Sequence, residues 1–259
     1  MIDRRELLER ARERGLTLAM IEKDYVLGWL LFGLSGIRGL TFKGGTALSK
    51  VYFPRIWRLS EDLDFVYLKD FREVLEALPE MLDKIRKASG IGLGLKSQHS
   101  NPHYLQLKIQ YDAVLGRNWI KLDITAEAPI DQVLDRKLTQ AYSDYPSFRV
   151  KTESVEEIGA QKIRSLAERK KSRDYYDVWQ LMKLKLDLEK LRKLIEKKFA
   201  YKGMDFKGAD LFPPDLSEIL EGYWTRELGR LVHPVPELET VIRELEAHLV
   251  PLMKPISRT

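Results

Sequence analysis

The sequence predicts an α+β fold: a small mixed or antiparallel sheet with flanking helices, followed by a helical C-terminal lobe. Three observations predict it. Residues Tyr104–Tyr111 alternate, with Tyr104, Gln106, Lys108 and Gln110 set against Leu105, Leu107, Ile109 and Tyr111, as in a half-buried strand. Trp119–Ile124 alternates in the same way after the turn-forming Leu115-Gly116-Arg117-Asn118, so the two stretches read as an antiparallel hairpin. From Ser154 onward the apolar spacing is helical.

Taken in order, residues 3–14 form a charged amphipathic helix with Leu7, Leu8 and Ala11 on one side, and Gly15 ends it. Thr17 caps a second helix over residues 18–34, apolar nearly all round after Tyr25 and so buried. Gly36 and Gly39 turn the chain into a first strand at 40–43. A short helix follows through Leu48, Val51 and Tyr52, and Pro54 stops it. Asp62–Phe65 is a second strand. Residues 70–88 make a helix with Phe71, Val74, Leu75, Leu78, Leu82 and Ile85 inward and Pro79 as a candidate kink. Ile91–Ser97 is strand-like, ahead of the hairpin. Residues 126–150 read as loops around a short helix or strand, with a last short strand at Phe148-Arg149-Val150. The division falls near Thr152, giving an α/β core over 1–152 and a helical domain over 153–259. In the latter, Ser154 and Glu157 fit a capping box, a second helix opens at Asp174, residues 187–199 form a basic helix, and Lys202–Pro214 is a loop. Asp215 and Pro236 open the last helices.

Composition narrows the function. Of 259 residues, 44% are hydrophobic and 32% charged, as in a soluble folded protein. There is no cysteine, which excludes disulfides and thiolate metal sites, and with only four histidines in the chain a zinc site is not expected. The charged N-terminus lacks a signal peptide's apolar stretch, and the longest apolar run, Tyr25–Leu34, is too short to span a bilayer. A cytoplasmic location without membrane attachment is expected. The net charge of +5 permits nucleic-acid binding without requiring it.

The chemistry concentrates between residues 42 and 65. Phe42-Lys43-Gly44-Gly45-Thr46-Ala47-Leu48 places paired glycines at a helix start. Glycines let bare N–H groups approach a ligand, and a helix N-terminus points its donors and positive dipole end at the same spot, which suits a phosphate. In Arg58-Leu59-Ser60-Glu61-Asp62-Leu63-Asp64-Phe65, Asp62 and Asp64 share one strand face. Two clustered carboxylates repel unless a cation lies between them. Magnesium, or manganese in its place, suits a pair of carboxylates completed by substrate phosphates. A lone Asp-x-Asp is common on solvated strands and a lone Gly-Gly is usually a turn; a phosphate loop and a metal strand on either side of one helix say more. Arg58 has two readings, a phosphate contact or an ion pair with a nearby acid.

These two segments, Lys43-Gly44-Gly45-Thr46-Ala47-Leu48 and Arg58-x-Ser60-x-Asp62-x-Asp64-Phe65, resemble the first motif of the AbiEii/AbiGii-type toxin nucleotidyltransferases, within the superfamily of the DNA polymerase β-like nucleotidyltransferase fold. Lys121-x-Asp123 resembles the second motif, and Lys162 with the Asp174 to Asp177 segment resembles the third and fourth. The likeness covers about residues 40–180. It implies a nucleoside triphosphate held by Lys43, Gly44, Gly45, Thr46, Arg58 and Ser60, and magnesium bound by Asp62 and Asp64. Asp123 would be a third carboxylate, bridging to the metal or activating the attacking hydroxyl. On its own, Lys121-x-Asp123 also reads as a solvent-facing alternation. Lys162 would neutralise triphosphate charge as pyrophosphate leaves, with Asp174 holding Lys162 or Arg164, so that the second domain contributes both residues to the cleft. The basic run Arg169–Arg173 also reads as a solvated inter-helix loop.

The resemblance further implies transfer of a nucleoside monophosphate to RNA, notably a tRNA end, by the toxin of a toxin–antitoxin or abortive-infection pair with a separate antitoxin protein. The alternative is a catalytically inactive module of the same fold that binds nucleotide, RNA or a partner protein. Three converging carboxylates argue against it, because their repulsion makes an empty site costly. There is no Walker pattern or H-R-D loop to suggest a kinase.

Overall fold

Helix α1 (Arg4–Arg14) starts where the Asp3 side chain accepts the Glu6 N–H at 2.8 Å, and it ends at Gly15 in the left-handed region (φ 63°). Thr17 caps α2 (Leu18–Leu34) in the same way, accepting from the Met20 N–H. The structure, a computed structural model, describes residues 1–53 and 58–253; Pro54, expected to stop the motif helix, lies outside them. The chain divides into two units, Met1–Glu153 and Ser154–Thr259.

In the first unit, β1 (Thr41–Lys43) runs into α3 (Gly44–Ala47), which continues as a π-helical turn over Leu48–Tyr52. β2 (Asp62–Val66), α4 (Phe71–Ser89), β3 (Gly92–Asn101), β4 (Tyr104–Ala113), β5 (Gly116–Thr125), β6 (Leu134–Lys137) and β7 (Arg149–Thr152) follow. The strands form one seven-stranded sheet in the order β3-β4-β5-β2-β1-β7-β6. It is mixed: β2 pairs parallel with β5 and antiparallel with β1, β1 pairs parallel with β7, and β3-β4-β5 is an antiparallel meander. The hairpin between β4 and β5 turns in two residues, tighter than the Leu115–Asn118 turn expected, because Ala113 pairs with Gly116 and Gly116 adopts φ 106°. β3 runs beyond Ser97 to Asn101, since its pairing with β4 supplies hydrogen bonds that its weak alternation does not announce. β6 is the short element expected somewhere among the loops of 126–150, and it is a strand: three of its four residues are exposed, so no apolar pattern locates it, and it exists by pairing with β7.

One sheet face is apolar. Leu63, Phe65, Leu105, Leu107, Ile109, Ile120, Leu122 and Ile124 are all buried. α2 and α4 pack closely at Gly33, where an added Cβ would stand 2.5 Å from Ile85 and 2.6 Å from Met81. Pro79 sits inside α4 without ending it.

Beneath the glycine segment lies a buried ion pair. Lys50, on the π-helical turn, meets Asp24 of α2 at 2.8 Å, and the two side chains are 3% and 1% exposed. Lys50 also donates to the Asp24 carbonyl, while Asp24 accepts from the Tyr142 hydroxyl at 3.0 Å. The Lys50 Nζ is pushed below the usual lysine range by burial, which the Asp24 charge opposes. The turn is thereby fixed to α2 from below. β7 fixes β1 from the side, with the Thr152 hydroxyl and the Glu153 N–H both bonded to the Phe42 carbonyl.

The second unit is helical: α5 (Val155–Glu168), α6 (Ser172–Leu181), α7 (Leu188–Tyr201), α8 (Gly208–Leu211), α9 (Leu216–Leu228) and α10 (Leu238–Met253). Ser154 caps α5 by accepting the Glu157 N–H, as its sequence predicts. α6 opens at Ser172, two residues before Asp174, and α8 is a short helix inside the stretch read as loop. α5 and α7 share a buried pair, Glu157 and Lys198 at 2.9 Å. No described helix is long and apolar enough to cross a membrane.

Removing one member of a buried pair leaves an uncompensated charge, which costs about 3–5 kcal/mol. Asp24→Ala is expected to lose stability in that range by urea denaturation, and Asp24→Ala/Lys50→Met to lose clearly less than the sum of the single variants. Additive losses would show that the pair is not coupled.

Candidate active site

β2 alternates as its sequence predicts: Leu63 and Phe65 are buried, while Asp62 and Asp64 are half-buried on the opposite face. What surrounds them is set by register. The parallel partner β5 places Lys121 beside Asp62 and Asp123 beside Asp64, and antiparallel β1 places Lys43 beside Asp64 on its other side. Neighbouring strands lie about 4.8 Å apart, so these side chains form adjacent rows on one face.

Gly44 sits against this face. Its φ is 76°, and a Cβ there would lie 2.4 Å from Asp64 Oδ2. Glycine is thus required twice, for the backbone conformation and for the close approach of a carboxylate. Thr46 is fully buried, and its hydroxyl donates to the Asp62 carbonyl at 2.5 Å, joining the glycine turn to β2. The Lys43 ammonium donates to Thr125 Oγ1 at 2.8 Å. Arg58 is buried at 4% exposure, and its guanidinium donates to the Leu59 carbonyl at 2.8 Å. Ser60 is half-buried just ahead of β2.

Asp123 is held from three directions. The Tyr104 hydroxyl donates to its Oδ1 at 2.5 Å and Gln106 Nε2 at 3.1 Å, while Lys121 Nζ lies 2.7 Å from its Oδ2. Lys121 is also 3.7 Å from Asp62. Burial alone would lower the Lys121 pKa; the hydrogen bond it donates to Asp123 and the charges of Asp62, Asp123 and Asp64 outweigh it and hold the ammonium above its usual range. Tyr104 is pushed up to about 12, by burial first and then by its bond to Asp123, so it remains a donor at neutral pH.

The three carboxylates are oxygen donors of the kind that magnesium and manganese take. Asp62 and Asp64 fit that role, standing on one face beside Gly44. The oxygens of Asp123 already meet Tyr104, Gln106 and Lys121, and among the described residues no group of three or more His, Cys, Asp or Glu side chains is placed to hold a metal ion.

Lys162, Asp174 and Asp177 assemble within the second unit. The Lys162 ammonium lies 2.9 Å from Asp174 and 2.8 Å from Asp177, both fully buried, and Arg169 adds a bond to Asp174 at 3.0 Å. Asp174 thus holds Lys162, while Arg164 pairs instead with Glu168 at 3.1 Å. Burial would raise the Asp174 pKa, but Lys162 and Arg169 hold it below the ordinary carboxylate range.

Three participants escaped the reading of motifs: Tyr104, Gln106 and Lys50. The first two lie on the polar side of a legible strand, so the signal for them was the alternation; their nearness to Asp123 depends on a register that the alternation does not give. Lys50 stands inside the motif helix, but nothing local marks it as buried.

The sequence pattern of one family, described as "Nucleotidyl transferase AbiEii toxin, Type IV TA system", matches residues 31–246. Among solved structures, MenT4, a nucleotidyltransferase toxin from Mycobacterium tuberculosis H37Rv, is similar over 99% of this chain and 91% of its own, with a TM-score of 0.75 at 20% identity. JHP933 from Helicobacter pylori is similar over 92% of this chain and 93% of its own, with a TM-score of 0.59 at 19% identity. At such identities the likeness is one of fold. No curated protein matches the sequence.

Two outcomes are expected from this geometry. Gly44→Ala forces a side chain into left-handed backbone and against Asp64, for a loss of roughly 1–3 kcal/mol; thermal melting reads that loss, and an unchanged melting temperature would contradict the fit. Asp174 has a folded-state pKa below its ordinary value of 3.8, so its stabilisation is present above that value and lost as pH falls through the folded pKa. In acid titration followed by circular dichroism, Asp174→Asn is therefore expected to start less stable at neutral pH and to lose less between neutrality and pH ~3.

Proposed function

The chain belongs to the AbiEii nucleotidyltransferase toxin family of type IV toxin–antitoxin systems, and from that premise we propose that it transfers a nucleoside monophosphate from a nucleoside triphosphate to RNA, in the first place a tRNA end. The observation that carries the proposal is the packing of Asp64 onto Gly44, with Asp62 two residues away on the same face. A carboxylate pair that abuts a glycine helix start can serve phosphate and cation together.

In this reading the acceptor hydroxyl attacks the α-phosphorus, the bond to the β-phosphate oxygen breaks, and pyrophosphate leaves. The backbone N–H groups of Gly44, Gly45 and Thr46 would receive phosphate oxygens. Lys43, Arg58 and Ser60 flank this segment as further candidate nucleotide contacts. Asp62 and Asp64 would hold magnesium, which when bound stabilises charge on the attacking and leaving oxygens. Asp123, oriented by Tyr104 and Gln106, would take the hydroxyl's proton. For Lys162 we propose a contact with the triphosphate, its ammonium fixed by Asp174 and Asp177. A cytoplasmic setting and a separate antitoxin protein complete the proposal.

One observation favours a second reading. Lys121 already neutralises Asp123 and lies close to Asp62, so the carboxylates are tolerated without a metal, as in a module of this fold that binds nucleotide or RNA without chemistry. Thermal shift separates the two readings: stabilisation by triphosphate that needs magnesium supports the enzyme, and equal stabilisation by any polyanion supports the module.

The direct test is incubation with magnesium, each labelled nucleoside triphosphate in turn, and total RNA. Label is expected in a tRNA-sized band, reduced on the order of a hundredfold or more in Asp62→Asn and Asp64→Asn. Full transfer by either variant would remove the metal assignment, and label on the protein itself would point to a protein acceptor.

A further inference from the structure

Beyond the carboxylates, the same sheet face continues outward across β5, β4 and β3, and its chemistry changes. Trp119 lies on the strand of Asp123, four residues away, which at about 3.3 Å per residue is ~13 Å. It is half-buried and faces the same side as Lys121 and Asp123, since all three are odd-numbered positions of one strand. Three ammonium groups from three different elements stand over its ring: Lys23 of α2 at 5.6 Å, Lys96 of β3 at 5.6 Å and Lys108 of β4 at 5.1 Å from the ring centre. Lys96 gets there at an irregularity in the β3-β4 register between Leu95 and Ser97, and such bulges re-aim a side chain.

A protein gains little by gathering three like charges around one ring, because they repel one another. Lys23 has a carboxylate nearby, Glu61 at 3.6 Å. Among the described residues, Lys96 and Lys108 have no carboxylate within ion-pair distance. A cluster of cations short of counter-charge, centred on an aromatic face, suits a ligand that brings both phosphates and a flat base. Single-stranded nucleic acid does so: stacking on aromatic side chains, combined with a basic track for the backbone, is how such strands are held without sequence preference. A duplex keeps its bases stacked and offers no free face to Trp119. The distance to Asp123 matches about four stacked steps of ~3.4 Å.

We propose that this outer face of β3-β4-β5 seats the single-stranded end of the acceptor RNA, with a base stacked on Trp119, its phosphates on Lys96, Lys108 and Lys23, and its terminal hydroxyl directed along β5 toward Asp123. The proposal rests on the reading of RNA as acceptor, and its test is a binding measurement that needs no turnover.

Fluorescence anisotropy of a labelled single-stranded RNA 12-mer, without nucleotide, is measured for the full chain and its variants. Trp119→Ala is expected to weaken binding about tenfold or more, and Trp119→Phe, which keeps an aromatic face, to retain most of the affinity. Lys96→Ala/Lys108→Ala is expected to flatten the slope of log Kd against log salt by about 1.4, at ~0.7 per lost phosphate contact. Unchanged binding in Trp119→Ala, or loss in Trp119→Phe equal to that in Trp119→Ala, overturns the stacking seat. Heparin displacing the RNA from wild type and Trp119→Ala with equal ease also overturns it, in favour of charge attraction alone. The transfer assay, run in parallel, keeps the two ideas apart. Trp119-dependent binding to an RNA that is never labelled supports the seat while removing the acceptor reading; labelled RNA whose binding ignores Trp119 does the reverse.

Discussion

Carboxylates on adjacent rows of a sheet repel one another, and much of the first unit is arranged so that they can stay there. Parallel pairing of β2 with β5 puts Asp64 next to Asp123 and Asp62 next to Lys121. Lys121 supplies the compensating charge, while Tyr104 and Gln106, one strand further out, donate to the oxygen that Lys121 does not reach. Tyr104 can do this at any ordinary pH because its phenol is held near 12. The buried face beneath, built from Leu63, Phe65, Leu122 and Ile124, fixes the register, since a slip of one residue would turn the acids into the core.

The glycine segment obeys the same constraint from the other side. Gly44 leaves room for Asp64, and a buried Thr46 ties the turn to the Asp62 backbone. The π-helical turn behind them is a rarer geometry that accompanies functional sites, and here it is secured by a lysine inside the protein. Lys50 reaches Asp24 on α2, so the helix that opens at the glycines is anchored at its far end. The position of the loop is therefore decided by interactions that are not themselves available to a ligand.

The second unit repeats this economy of charge in a helical setting. Lys162 is clasped by two fully buried aspartates, and Arg169 shares one of them. The sheet's outer face shows the opposite pattern. Lys96 and Lys108 gather over Trp119 with no acid within ion-pair distance among the described residues.

The sequence by itself determined the class of fold and most element positions, because these depend on local signals: alternation in β4 and β5, helical spacing after Ser154, caps at Thr17 and Ser154, and paired glycines ahead of a helix. Tertiary structure alone decided which strands are neighbours, and hence that Asp64 lies beside Asp123, that Lys121 stands among the acids, and that Tyr104 and Gln106 serve Asp123. It alone placed β6, whose exposed residues carry no pattern, and it alone buried Lys50 and brought three lysines to one ring. Alternation tells which way a side chain faces but not what it faces, because the partner comes from a distant part of the chain and its register is set by the packing of the whole sheet.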